Sequence, residues 1–176
     1  MVQGERLLII GNSGSGKTWL SNQVERRAGL RAIHLDDLHW QPGRYGLRRD
    51  EADVLRDVAA AAAADDWVIE GVYGWLATAA LPRATMLVWL DLPEQDCIAN
   101  VRARGRQGGD TEAGHAALLD WVAGYWQRTT SSSHAGHQSI YAAFAGAKAR
   151  LKHRRDVTLF LERFGRPVDP AATGAE

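Results

Sequence analysis

Residues Arg6 to Leu20 read RLLIIGNSGSGKTWL, and no other stretch constrains the chain as strongly. A short apolar run, Leu7 to Ile10, breaks into a glycine-rich loop and resumes as a helix, with Gly11, Gly16, Lys17 and Thr18 at the spacing G-x-x-x-x-G-K-S/T. Glycine at 11, 14 and 16 permits positive φ and close approach, so successive N–H groups can turn inward as a nest for phosphate oxygens. The loop then feeds a helix N-terminus, where unpaired N–H groups and the positive dipole end favour an anion. Gly11, Asn12, Ser13, Gly14, Ser15, Gly16, Lys17 and Thr18 are therefore read as a P-loop, or Walker A motif, that cradles the phosphates of ATP. Lys17 is placed to reach the β- and γ-phosphates, and the Thr18 hydroxyl to ligate Mg2+. A flexible Gly/Ser turn could match the pattern by chance, but the strand before it and the helix after it are what the mechanism requires.

A chain of 176 residues is most simply one domain, here 1–166, with a short polar tail, 167–176, read as flexible. Lysine plus arginine and aspartate plus glutamate both number 21, so no overall basic field draws the chain to nucleic acid, which is not expected as a partner without a local patch. Cys97 is the single cysteine, which excludes an intramolecular disulfide and points to a seat on a buried helix face. No apolar run approaches a membrane span, and residues 1–5 lack a signal-peptide core, so a cytoplasmic protein without a membrane partner is expected.

The first helix is expected from about Gly16 to Ala28, stopped by Gly29, followed by a short strand, Arg31 to Leu35, and then Asp36 and Asp37. Carboxylates just past a parallel strand lie on the same sheet edge as the P-loop. Asp36 could accept a proton from a substrate hydroxyl or hold Mg2+ through water; Asp36 and Asp37 could equally cap a turn or helix. His34 is expected to be structural, since strand alternation points it away from Asp36.

His39 to Gly46 reads as a loop in which Trp40 and Tyr45 could stack on a planar acceptor, or Trp40 could only pack the loop down. Arg44, Arg48 or Arg49 could hold an anion. Asp50 to Asp65 is an alanine-rich helix, and Trp67 to Gly71 a buried strand ending at Glu70. A carboxylate there suits orientation of Mg2+ or its water, against the alternative of a hydrogen bond to the next turn. Tyr73 lies in the turn that follows, before a short helix from Trp75 to Leu81.

Thr85 to Leu90 is a further strand, with Asp91 as a helix cap and Pro93 opening the helix Glu94 to Arg104. Arg102, Arg104 and Arg106 flank a glycine-rich loop. Arg102 and Arg106 are read as lid cations, within about 102–111, that neutralise charge on the transferred phosphoryl group; the alternative is a solvated helix end. An amphipathic helix, Glu112 to Arg128, then a polar loop, Thr129 to His137, a last helix, Ser139 to Arg155, and a fifth strand, Asp156 to Leu161, complete the expectation. Arg128 is a candidate phosphate contact, and most of the seven tryptophans are expected to be packing. The basic run from Lys148 to Arg155 is the one candidate nucleic-acid patch, or else a cationic helix end.

Strands alternating with helices after a P-loop imply an α/β P-loop NTPase: a five-stranded parallel sheet with helices on both faces and a short lid. The chain resembles the P-loop kinases of the adenylate kinase-like group, and is similar to bacterial proteins labelled DNA topology modulation proteins or adenylate kinase-like ATPases. The blocks GNSGSGKT at Gly11, IHLDDLHWQPG at Ile33, WVIEGVYGWL at Trp67 and LVWLDLP at Leu87 carry that resemblance. It implies an acceptor- or magnesium-binding carboxylate at Asp36 and lid arginines at Arg102 and Arg106. The expected activity is an ATP- and Mg2+-dependent phosphotransferase acting on a small acceptor such as a nucleoside or nucleotide. Lys17, Asp36, Arg102 and Arg106 would be catalytic, and Thr18 and Glu70 would ligate the metal. An ATP-binding regulatory or DNA-associated protein is the alternative.

Overall fold

Apolar runs of the sequence become strands of one parallel sheet, and the helices between them cover both of its faces. The computed structural model describes residues 4–106 and 110–164. In chain order the elements are β1 (Arg6–Gly11), α1 (Lys17–Ala28), β2 (Ala32–His34), α2 (Leu35–His39), β3 (Trp40–Gln41), β4 (Arg44–Arg48), α3 (Glu51–Ala62) and β5 (Trp67–Gly71). There follow α4 (Gly74–Ala80), β6 (Met86–Leu90), α5 (Glu94–Arg104), α6 (Glu112–Ala123), α7 (His134–Ala143), β7 (Ala147–Leu151) and α8 (Arg154–Glu162).

The sheet order is β2-β5-β1-β6-β7, with every neighbouring pair parallel. Successive β1 side chains point to opposite faces. Leu7 and Ile9 pack with Leu20 and Val24 of α1 and with Val157, Phe160 and Leu161 of α8. Leu8 and Ile10 pack with Val54 and Val58 of α3 and with Leu76 and Ala77 of α4. From β1 the chain runs to β2 and β5 on one side and to β6 and β7 on the other. That reversal opens a crevice beyond the carboxyl end of β1, where α/β sheets bind ligands.

The fold class agrees with the expectation, but the C-terminal elements are exchanged. The fifth strand is β7, Ala147–Leu151, inside the segment expected as the last helix, and the expected strand Asp156 to Leu161 lies within α8. Ala-Lys-Ala-Arg-Leu carries helix formers, yet it pairs only with β6 at the sheet edge, where charged side chains are tolerated. The β-branched character of Val157 and Thr158 is overridden by the helix start. Asp156 accepts hydrogen bonds from the backbone of Lys152 and His153, both at 2.9 Å, and Val157, Phe160 and Leu161 then face the core at helical spacing.

Smaller differences have local causes. Asp36 and Asp37 follow the end of β2, as expected, but stand within the short α2 and not in a loop. The expected loop from His39 contains a small antiparallel hairpin, β3–β4. The expected helix to Arg128 ends at Ala123 and continues as a 3-10 turn, Gly124–Trp126. His134 to His137 begin α7, capped by Ser133, whose hydroxyl accepts from Gly136 N at 3.1 Å. The tail from Pro167 and part of the expected lid, 107–109, lie outside the described residues. Among the described residues no helix is long and apolar enough to cross a membrane.

Candidate functional site

The loop Gly11–Thr18 joins β1 to α1 at the centre of the sheet edge. Gly16 takes φ 92° as the residue before α1, a left-handed conformation that favours glycine. Gly14, at φ 77°, lies so close to the Cys97 carbonyl of α5 that a side chain there would collide with backbone. Lys17 is buried and its Nζ donates to the Asn12 carbonyl at 2.8 Å. Burial lowers the Lys17 pKa from its ordinary range, opposed by the charges of Glu70 and Asp36. The Ser15 hydroxyl is buried without a hydrogen-bond partner, an orphan that a phosphate oxygen would satisfy.

Beside the cradle, Glu70 Oε1 accepts from the Thr18 hydroxyl at 2.8 Å and from His34 Nδ1 at 2.9 Å. Burial works to raise the Glu70 pKa, but the His34 hydrogen bond, the Lys17 charge and the Thr18 hydroxyl together hold it below the ordinary value. The same hydrogen bond raises that of His34. His34 is therefore structural, as expected, bracing Glu70 from outside the cleft lining, but it is not turned away from the neighbours of Asp36, of which Glu70 is one. The β2–β5 register sets His34 beside Glu70. A hydroxyl and a carboxylate suit Mg2+, which takes one or two protein oxygens plus phosphates and water. Among the described residues no cluster of three or more histidine, cysteine, aspartate or glutamate side chains forms a self-sufficient metal cage.

Asp36 opens onto the same cleft, and its carboxylate accepts a hydrogen bond from Tyr73. Although the residue is exposed to the cleft solvent, the surrounding protein mass raises its pKa, with Glu70 adding to this and Lys17 opposing it. The cleft has a volume of about 1390 Å3 and gathers Lys17, Thr18, Asp36 and Glu70 with Arg48, Arg104 and Arg128. Arg49 is engaged elsewhere, donating to Asp57 of α3 at 2.7 Å. Five of the seven tryptophans, Trp67, Trp75, Trp89, Trp121 and Trp126, pack in or against the core, as expected of most of them, and Trp75 and Trp121 also line the cleft together with Trp19 and Trp40. The His39 ring lies 4.3 Å from that of Tyr73 and 4.5 Å from that of Trp40, forming an aromatic wall beside Asp36.

The arginines divide by helical phase. Arg104 lines the cleft, whereas Arg102, two residues away and so on the other side of α5, lies in a shallow depression with Glu94 and Ile98. Arg106 is exposed and outside the cleft lining. Arg128 lies 4.2 Å over the Trp121 ring and donates from Nη1 to the Trp121 carbonyl, while Nε and Nη2 are buried with no hydrogen-bond partner. Buried unpartnered guanidinium N–H groups in a cleft await an anion.

A hydrogen-bond chain that the sequence did not reveal braces the Asp36 side of the cleft. Trp89 Nε1 donates to the Tyr125 hydroxyl at 3.3 Å, Tyr125 donates to His137 Nδ1 at 2.6 Å, and His137 Nε2 donates to the Val72 carbonyl at 3.0 Å. Burial holds His137 neutral, its pKa down to about 3. Val72 precedes Tyr73, so the chain fixes the turn that meets Asp36. Asp91 is likewise not a simple helix cap: it accepts from Arg150 at 2.6 and 2.8 Å and lies 3.2 Å from His134. Lys148 donates to carbonyls at the end of α7 and Arg154 to Asn100, so with Arg150 three cations of the candidate nucleic-acid patch are engaged within the fold.

No family model matches the sequence, and no curated protein matches it. Solved structures do. A gluconokinase from Sinorhizobium meliloti 1021 is 15% identical with a TM-score of 0.55, over 91% of this chain and 93% of that one. A shikimate kinase from Bacteroides thetaiotaomicron is 17% identical with a TM-score of 0.55, over 90% and 95%. A sugar kinase from Janibacter sp. HTCC2649 is 18% identical with a TM-score of 0.53, over 90% and 91%. The chain has the P-loop kinase fold. None of these three carries the DNA topology modulation label.

Proposed function

We propose that the protein is a P-loop kinase that transfers the γ-phosphoryl group of ATP to a hydroxyl of a small acceptor. The observation that carries this reading is the convergence of Lys17, the Thr18–Glu70 pair and Asp36 on one cleft. Catalysis here is positioning and charge neutralisation. The P-loop N–H groups and Lys17 hold the β- and γ-phosphates. Thr18 and Glu70 would hold Mg2+, which neutralises phosphate charge when bound. Asp36, with a pKa moved toward neutrality, accepts the proton of the acceptor hydroxyl. Arg128 holds an anionic group at the acceptor side, and Arg104 supplies the cationic role expected of the lid. Arg102 and Arg106, outside the cleft lining, take no part in this reading.

The test is transfer of labelled γ-phosphoryl from MgATP, screened over nucleosides, nucleoside monophosphates and hydroxylated acids and sugars. Transfer to a hydroxyl of one acceptor class supports the proposal; transfer only to the phosphate of nucleoside monophosphates, which needs no base, contradicts the part given to Asp36, and ATP binding without transfer to any class contradicts the whole and favours a nucleotide-binding regulatory protein.

A further inference from the structure

The donor side of the cleft carries a side chain that phosphate binding does not use. Trp19 follows the P-loop threonine directly, lines the cleft and is 54% exposed. Helix α1 packs on the sheet through Leu20, Ser21 and Val24 and does not bury this indole. An indole is among the largest apolar surfaces a chain can offer, and this one stands open at the rim of an anion cradle.

Helix α8 packs against α1, with Val157 and Phe160 in one cluster with Leu20 and Val24. Asn100 and Arg104 of α5 and Arg154, Val157 and Thr158 of α8 line the same cleft as Trp19. The wall is tied to the loop: Asn100 Nδ2 donates to the Gly14 carbonyl at 2.7 Å, and Arg154 donates to Asn100 Oδ1 at 2.8 Å. In the sheet order, α5 and α8 follow β6 and β7, whereas Asp36 and Glu70 belong to the opposite side, over β2 and β5. A triphosphate whose terminal group meets Lys17 and Asp36 directs its nucleoside away from Asp36, toward this wall.

We propose that Trp19 is the stacking platform for the base of the donor nucleotide. The inference rests on the P-loop reading above and adds a residue that separates a nucleotide from a bare triphosphate. Because every base presents a π-face, the platform adds affinity without choosing between ATP and GTP.

The test is calorimetric titration of wild type, Trp19→Ala and Trp19→Phe with MgATP and with magnesium tripolyphosphate. Stacking predicts that Trp19→Ala weakens MgATP about tenfold and leaves tripolyphosphate unchanged, while Trp19→Phe stays within about threefold of wild type for MgATP. Unchanged MgATP affinity in Trp19→Ala overturns the assignment. An equal loss for both ligands also overturns it, marking Trp19 as support for the loop. A wild type that binds neither ligand overturns the P-loop reading and this inference with it.

Discussion

The P-loop and the Asp36 side of the cleft, the proposed acceptor side, are built by different means. The cradle is one run of consecutive residues, Gly11–Thr18, whose shape comes from backbone conformation and from the close approach of Gly14 to α5. The acceptor side is assembled from side chains on α2, β4, the β5–α4 turn and the segment after α6, and a buried hydrogen-bond chain holds it in place. A backbone-built site serves any triphosphate. In the proposed reaction the side-chain-built part would set which acceptor is taken, and it could change without disturbing the cradle.

Substitutions should therefore separate the two halves. The largest effect falls on the cradle: Lys17→Met should lower phosphoryl transfer by about 10³-fold or more with every acceptor. Its melting temperature should hold or rise, because the change removes a buried cation whose pKa burial already lowers. Thermal unfolding beside the transfer assay checks both.

On the acceptor side, His137→Ala should cost about 3 kcal/mol of stability in urea unfolding, since it leaves Val72 and Tyr125 unpartnered and opens a cavity. The pH dependence has a definite sign. Folded His137 resists protonation down to about 3, while the unfolded chain takes up the proton near the ordinary 6.5. Wild-type stability should thus fall as pH drops through that window, and this contribution to the slope should vanish in the variant.

Arg128→Met should raise the acceptor KM about 30-fold with the ATP Kd nearly unchanged, which steady-state kinetics at varied acceptor will show. A parallel loss of ATP affinity would break the division of the cleft into halves. The smallest effect belongs to the His34–Glu70 pair that joins them. Glu70 stays ionised to below its ordinary 4.5, and His34 stays protonated to above its ordinary 6.5. Their attraction is complete between those values, fades as pH rises through the raised His34 pKa, and fades as pH falls through the lowered Glu70 pKa. His34→Ala should cost about 1 kcal/mol near pH 6 and less near pH 9, read from urea unfolding.

The same contrast explains what could be read without coordinates. The P-loop was legible because its geometry is written in consecutive residues, and β1, β5 and β6 because buried parallel strands are continuous apolar runs. Glu70 could be placed by its position at the end of such a run. Its partner His34 could not, because their contact depends on the register between β2 and β5. The choice of Arg104 over Arg102 depends on the phase of α5, which composition does not set. The exchange of strand and helix after Ser139 arose where local preference and tertiary context disagree: β7 is made of helix formers on a sheet edge, and α8 contains β-branched residues behind a capping interaction. Trp40 was legible as a stacking candidate in its loop, but its assembly with His39, Tyr73 and Trp75 into one wall was not, because the α2 and β5–α4 segments meet only in the fold.

The account turns on Asp36 as the group that receives the acceptor proton. The most direct measurement is acceptor-dependent γ-phosphoryl transfer against pH, with ATP binding followed in parallel, for wild type and Asp36→Asn. If Asp36 receives that proton, both bind ATP alike and the variant loses about 10²- to 10⁴-fold in kcat. In wild type the rate should fall as pH drops through an Asp36 pKa raised above the ordinary 3.8. That acid limb should be absent from the residual rate of the variant. An Asp36→Asn enzyme that transfers phosphoryl at the wild-type rate, with the same acid limb, would contradict it.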